Sequence, residues 1–162
     1  MIKKVFTIIL AVFIVAFSSG CSSALKMPFN GDIEFHRIAL TIPERFVRDS
    51  TQSTDDFLVF EHGNYSKYIL VSRKDIVEDV STSLENYIEY MKEIGAESEK
   101  VSFLNNDAVF STYYIDDVFC QEILFPYDNS FYSIALRGGT ENDFKEISDT
   151  VKLIEFNDKS AS

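Results

Sequence analysis

Two cysteines, two histidines and 26 carboxylates are the side chains here that could serve as nucleophiles, proton carriers or metal ligands. His36 and His62 stand far apart, and no paired His or Cys spacing supplies the converging ligands of a zinc site. His62 lies in Glu61-His62-Gly63-Asn64, a turn-rich link shortly after Asp55-Asp56, and reads as a surface-loop histidine. Asp116-Asp117 offers oxygen ligands, but its flanks lack the alternating acids of a calcium loop, and a hairpin turn explains the pair. Asp75, Glu78 and Asp79 read as a solvated loop ahead of a helix. No metal and no cofactor is expected.

Cys120 sits in the apolar, strand-like run Val118-Phe119-Cys120-Gln121-Glu122-Ile123-Leu124-Phe125. A buried, inert thiol is the expectation, because a nucleophilic one needs a base and an electropositive setting that the sequence does not display. Catalytic triads, P-loops, zincin helices and nucleophile elbows are missing, so the chain is expected to be noncatalytic.

Glu85, Glu89 and Glu93 recur at four-residue steps and stack on one helix face. Like charges so placed cost about 0.2–0.5 kcal/mol per pair, partly offset by Lys92 near Glu89. The row is either a solvated face or a docking surface for a basic partner. Tyr65, Tyr68, Tyr113, Tyr114, Tyr127 and Tyr132 flank turns or lie within strands, where tyrosine serves equally as a binding anchor and as a cross-strand packing partner. Glu85, Glu89, Glu93, Tyr113 and Tyr132 are the candidate partner-binding residues.

The first 21 residues carry a further chemistry. Met1-Ile2-Lys3-Lys4 is basic, and Val5 to Phe17 is apolar except for Thr7. Thirteen residues make about 20 Å of helix, short of the ~30 Å hydrocarbon core, so an export signal fits better than a permanent span. Ser18-Ser19-Gly20-Cys21 then resembles a lipobox, in which small residues precede a cysteine that becomes diacylglyceryl-modified. The position three before the cysteine, usually Leu, is Ser18 here. The resemblance implies cleavage between Gly20 and Cys21 and lipidation of Cys21; the alternative is an ordinary secretory signal. Lipidation would leave Cys120 as the single thiol, with no intramolecular disulfide. Two acyl chains give stable anchoring where one is marginal. The expected address is a bacterial membrane, facing away from the cytoplasm, with outer-membrane sorting permitted by Ser22 if a second membrane exists.

Length and charge narrow the rest. Loss of the leader (1–20) leaves 142 of 162 residues, a usual size for one domain. The leader holds Lys3 and Lys4, so 13 basic stand against 26 acidic residues in the remainder. Such a surface repels phosphate backbones, and nucleic-acid partners are disfavoured. With 15 Phe and 8 Tyr the chain has ample means to build a core.

The positioning elements follow from periodicity. Residues 21–31 read as lipidated cysteine and tether, 32–157 as one globular domain and 158–162 as a polar tail. Ile38, Leu40 and Ile42 alternate within a strand over 36–42 that stops at Pro43, and 57–61 and 67–72 are two more strands. Leu84, Tyr87, Ile88, Met91 and Ile94 form one apolar stripe, predicting a helix over 83–94 with Thr82 and Glu85 as capping box and Gly95 as its stop. A short strand at 101–104, a turn at 105–107, strands at 108–115 and 118–125 and a turn at 126–129 come next. The strand 130–137 places Phe131, Ser133 and Ala135 on one face and Tyr132, Ile134 and Leu136 on the other. A helix capped by Thr140, with Phe144, Ile147 and Val151 toward the core, and a strand over 152–156 complete the chain.

Short connections between strands and two separate helices predict an α+β fold with a largely antiparallel sheet flanked by helices. This order is similar to the PsbP-like α/β/α sandwich: a strand ending in a proline turn (Ile38 to Phe46), a helix from Ser83-Leu84-Glu85, a strand-turn-strand at Asn105 to Val109, then a meander and a last helix at Phe144. The resemblance covers most of 32–156. It implies membership among photosystem II extrinsic proteins, a Ran-binding nuclear protein and small bacterial lipoproteins, which share no catalytic set, so it implies a fold and no activity. The expected function is a lipid-anchored accessory or binding protein that engages another envelope component. A small-ligand or cation-binding lipoprotein is the alternative, and an unrecognised hydrolase the third reading.

Overall fold

The computed structural model describes residues 31–63 and 66–155. The leader with Gly20, Cys21, the tether up to residue 30, Tyr65 and the polar tail lie outside the described residues. Among the described residues ten strands and two helices follow in order: β1 Gly31–Phe35, β2 Ile38–Ile42, β3 Phe46–Arg48, β4 Phe57–His62, β5 Tyr68–Asp75, α1 Val80–Glu93, β6 Glu97–Phe103, β7 Asn106–Ile115, β8 Val118–Tyr127, β9 Ser130–Arg137, α2 Glu141–Ser148 and β10 Lys152–Leu153.

Seven strands form one sheet in the order β3-β4-β5-β9-β8-β7-β6, and β1-β2-β10 form a second. Every pairing is antiparallel. The fold is α+β and largely antiparallel. In the large sheet, chain neighbours pair everywhere except at β5–β9, where Leu70 stands opposite Ala135 and Val71 opposite Ile134.

Both faces of the large sheet are covered, so its central strands are apolar on both sides. Tyr132, Ile134 and Leu136 of β9 join Phe60, Ile69, Val71, Ile123 and Phe125 on one face. There they meet Ile38, Leu40 and Ile42 of β2 and Phe144 and Ile147 of α2. On the opposite face Val59, Leu70, Val109, Cys120, Leu124 and Ala135 pack against Leu84, Tyr87 and Met91 of α1. An isolated helix of 14 residues is marginal in water, and each buried apolar side chain contributes about 1.5–3 kcal/mol. Docking therefore holds α1. The layer opposite α1 is a small sheet plus α2, rather than helix alone.

Several local expectations are corrected. β1 begins at Gly31, within the expected tether, and pairs with β2 through a turn at His36-Arg37, where His36 has φ 55°. The strand expected over 36–42 starts at Ile38 because that turn consumes its first two residues. β3, three residues long, adds a strand to those expected. α1 starts at Val80, not 83: Asp79 is the N-cap and accepts from Thr82 N–H at 3.0 Å. Its end is as expected. Gly95 takes φ 81°, and the Gly95 and Ala96 amides donate back to Lys92 O and Met91 O at 3.0 and 2.9 Å.

β7 starts earlier than expected, since the tight turn is Leu104-Asn105 and Asn106 already pairs with Phe103, and β6 starts earlier too, with Glu97 already pairing with Thr112. Asp116-Asp117 forms the expected two-residue hairpin, both residues at positive φ. The next turn is confined to Asp128-Asn129, so Pro126 stays in β8, opposite Phe131. Thr140 caps α2 in a reciprocal box with Asp143. The closing strand is short: β10 comprises only Lys152 and Leu153.

Candidate functional site

The outer face of α1 presents Glu85, Glu89 and Glu93 to solvent, because the stripe Leu84, Tyr87 and Met91 turns the opposite side onto the sheet. Glu85 is offset by Lys100 of β6, whose Nζ lies 3.1 Å from its carboxylate. Glu97 and Glu99 of β6 are also exposed, extending the acidic surface along the sheet edge.

The two tyrosines grouped with those glutamates in the sequence lie elsewhere. Tyr113 is 3% exposed and packs beneath α1, while Tyr132 is fully buried on the other face of the sheet. Tyr132 stacks on Phe125 and its hydroxyl accepts from the Arg37 amide at 3.2 Å. Neither is offered to a partner. Tyr114, one residue on, is 70% exposed and rests against Phe119 at the tip of the β7–β8 hairpin. It projects from the face opposite α1, since side chains alternate along β7 and Tyr113 points to α1.

Beneath α1 lies a polar group that the sequence reading missed. Glu122 of β8 is 4% exposed in a mainly apolar layer. Tyr113 donates to one carboxyl oxygen at 3.0 Å, and Ser133 of β9 donates to the other. The Tyr87 hydroxyl faces the same carboxyl from α1, together with Ser111, which shares a 2.8 Å hydrogen bond with Ser98. Burial drives the Glu122 carboxyl above the usual glutamate range, against the three hydroxyls that favour its charged form. Burial likewise drives the Tyr87 and Tyr113 phenols well above theirs, reinforced by the nearby Glu122 charge. A glutamate in the centre of an apolar strand was the available signal.

The remaining candidates are structural. Cys120 is buried, and burial pushes its thiol up to about 12 despite the nearby Arg137, so it is a packing residue. His36 Nε2 lies 2.7 Å from the Asp55 carbonyl and 3.5 Å from the Asp56 carboxylate. Expected as a loop residue, His62 ends β4 with its ring edge-on to Phe46. Asp116 lies 3.5 Å from Arg137, and Asp75 pairs with Arg73. Among the described residues, no three His, Cys, Asp or Glu side chains are grouped to hold a metal ion.

Among the solved structures that resemble this fold are two with the following superpositions. The solution structure of cyanobacterial PsbP (CyanoP) from Synechocystis sp. PCC 6803 superposes with TM-score 0.56 at 8% identity, covering 84% of this chain and 98% of that one. A crystal structure from Bacteroides thetaiotaomicron VPI-5482 gives TM-score 0.55 at 11% identity over 81% of this chain. This chain spans about half of that protein, 51% of its length. No family model and no curated protein sequence matches the chain. The architecture is PsbP-like, and identities this low carry the fold alone.

Proposed function

We propose that this chain is a lipid-anchored, noncatalytic binding or accessory protein of a bacterial envelope. Cys21 carries the acyl anchor, and the outer face of α1 engages a basic surface on another envelope protein. The observation that carries the docking part is the exposed row Glu85, Glu89 and Glu93 on a helix whose apolar side is already spent on the sheet. Like-charge repulsion along that row makes it weakly unfavourable in isolation, and a cationic partner would relieve it. The anchoring part is supported by the basic start, the apolar run and Ser18-Ser19-Gly20-Cys21. The noncatalytic reading is supported by Cys120, whose raised thiol makes a poor nucleophile, and by the dispersed placement of His36 and His62.

Two experiments test the two parts. A Cys21→Ser chain is expected to leave the membrane fraction and to lack the acyl mass at its amino terminus; unchanged fractionation rejects the anchor. For docking, in-cell crosslinking from a photoreactive residue at position 92 is expected to yield a discrete adduct that vanishes on Glu89→Lys with Glu93→Lys. An adduct indifferent to the double reversal rejects the α1 face.

A further inference from the structure

Glu122 is a buried carboxyl, 4% exposed, with both oxygens held by hydroxyls. The groups facing it are Tyr87 and Tyr90 from α1, Ser111 and Tyr113 from β7, Ser133 from β9 and Cys120 on its own strand. All are neutral at neutral pH, and no cation is among them. Arg137, opposite Cys120 in the sheet, extends its guanidinium to the Ile115 carbonyl and Asp116, each 3.5 Å away, at the hairpin end. Glu93, whose charge acts on Tyr90, is of the same sign as an ionised Glu122. A carboxylate here has hydroxyl dipoles but no counter-ion among these groups, and at Glu122 burial outweighs the hydrogen bonds.

The position of the carboxyl adds a mechanical consequence. It lies between the sheet and α1, and one of its facing hydroxyls belongs to Tyr87, a residue of the helix's own docking stripe. Water can reach an ionised Glu122 by lifting one element, α1, without separating any strand pair. Secondary elements open locally at lower cost than the whole domain, and α1 packs on the sheet through the side chains of Leu84, Tyr87 and Met91.

We propose that Glu122 is a proton-controlled latch: its protonated carboxyl keeps α1 seated on the sheet, and loss of that proton loosens the helix. The sign follows from where the proton is bound. Folding raises the proton affinity of Glu122, so its contribution is complete below the ordinary glutamate range and is lost as pH rises through the higher native value. This inference stands apart from the docking reading, since it concerns the inner side of α1.

The test follows amide hydrogen exchange in the full chain between about pH 5 and pH 9, with rates corrected for intrinsic base catalysis. Protection of residues 80–93 is expected to fall at least about tenfold with rising pH while β8 and β9 change little, and Glu122→Gln is expected to abolish the fall. Constant α1 protection in the native chain, an equal fall in β8 and β9, or the same fall in Glu122→Gln each overturns the latch. If the Gln variant does not fold, infrared spectroscopy of the native chain decides. A protonated-carboxyl band that disappears together with α1 protection supports the latch, and its absence at the acid end refutes it.

Discussion

Lys67 and Asp143 meet at 2.8 Å, joining the segment before β5 to the first turn of α2. Asp143 is also the N3 residue of the α2 capping box and lies 2.7 Å from Arg45, ahead of β3. One carboxylate thus ties a helix start to two points on the far half of the large sheet.

The Lys67 ammonium, with the Thr140 amide and hydroxyl, holds the Asp143 carboxyl well below the usual aspartate range. Its stabilising contribution is therefore present above that range and lost as pH falls through the low native value. Asp143→Ala should cost about 2 kcal/mol at neutral pH, from the cap and the part-buried ion pair. Urea denaturation at neutral and acid pH checks this: the variant's deficit should shrink as the native chain approaches its own acid limit.

Gly138 follows β9 with φ 76°, and a β-carbon there would stand 2.1 Å from the Ser66 carbonyl oxygen. The obstacle is backbone and cannot rotate away. Gly138→Ala is expected to destabilise the domain by about 2–4 kcal/mol, read as a shift of the urea midpoint.

The Asp116-Asp117 turn places both residues at positive φ, with φ 61° at Asp117. Glycine accepts this conformation without a β-carbon clash, so Asp117→Gly should raise stability by about 0.5–1 kcal/mol. A calorimetric midpoint equal to or below that of the native chain would contradict the assignment.

A fully buried thiol, pushed up to about 12 by that burial, should resist alkylation. In a Cys21→Ser chain, where Cys120 is the single cysteine, iodoacetamide labelling at pH 8 should be at least about a hundredfold slower folded than in denaturant. Comparable rates would mean that the sheet beneath α1 is open.

Local signals in the sequence read truest. The α1 stripe through Leu84, Tyr87 and Met91, the Gly95 stop, the Thr140 cap and the two faces of β9 each depend on neighbours a few residues away; Ile94, expected at the end of that stripe, is instead the exposed C-cap. The α1 start was displaced because Thr82 and Glu85 fit a capping pattern as well as Asp79 and Thr82 do, and only the chain path before Val80 decides between them. Alternation shows that Tyr113 and Tyr114 point to opposite sides. It cannot show which side is open, because both faces of this sheet are covered near its centre and only the hairpin tip protrudes. Glu122 escaped for the same reason: its burial is imposed by α1, which is remote in sequence from β8.

The lone pairing of sequence-distant strands within the large sheet has a kinetic consequence. β3-β4-β5 and β6-β7-β8-β9 are each built from consecutive strands, whose loops are short and close rapidly, whereas β5 must find β9 across all of α1 and three strands. Within the large sheet, zipping Val71 to Ile134 is then the slow event, and truncations at that seam should retard refolding more than equal losses of stability at the hairpin tips.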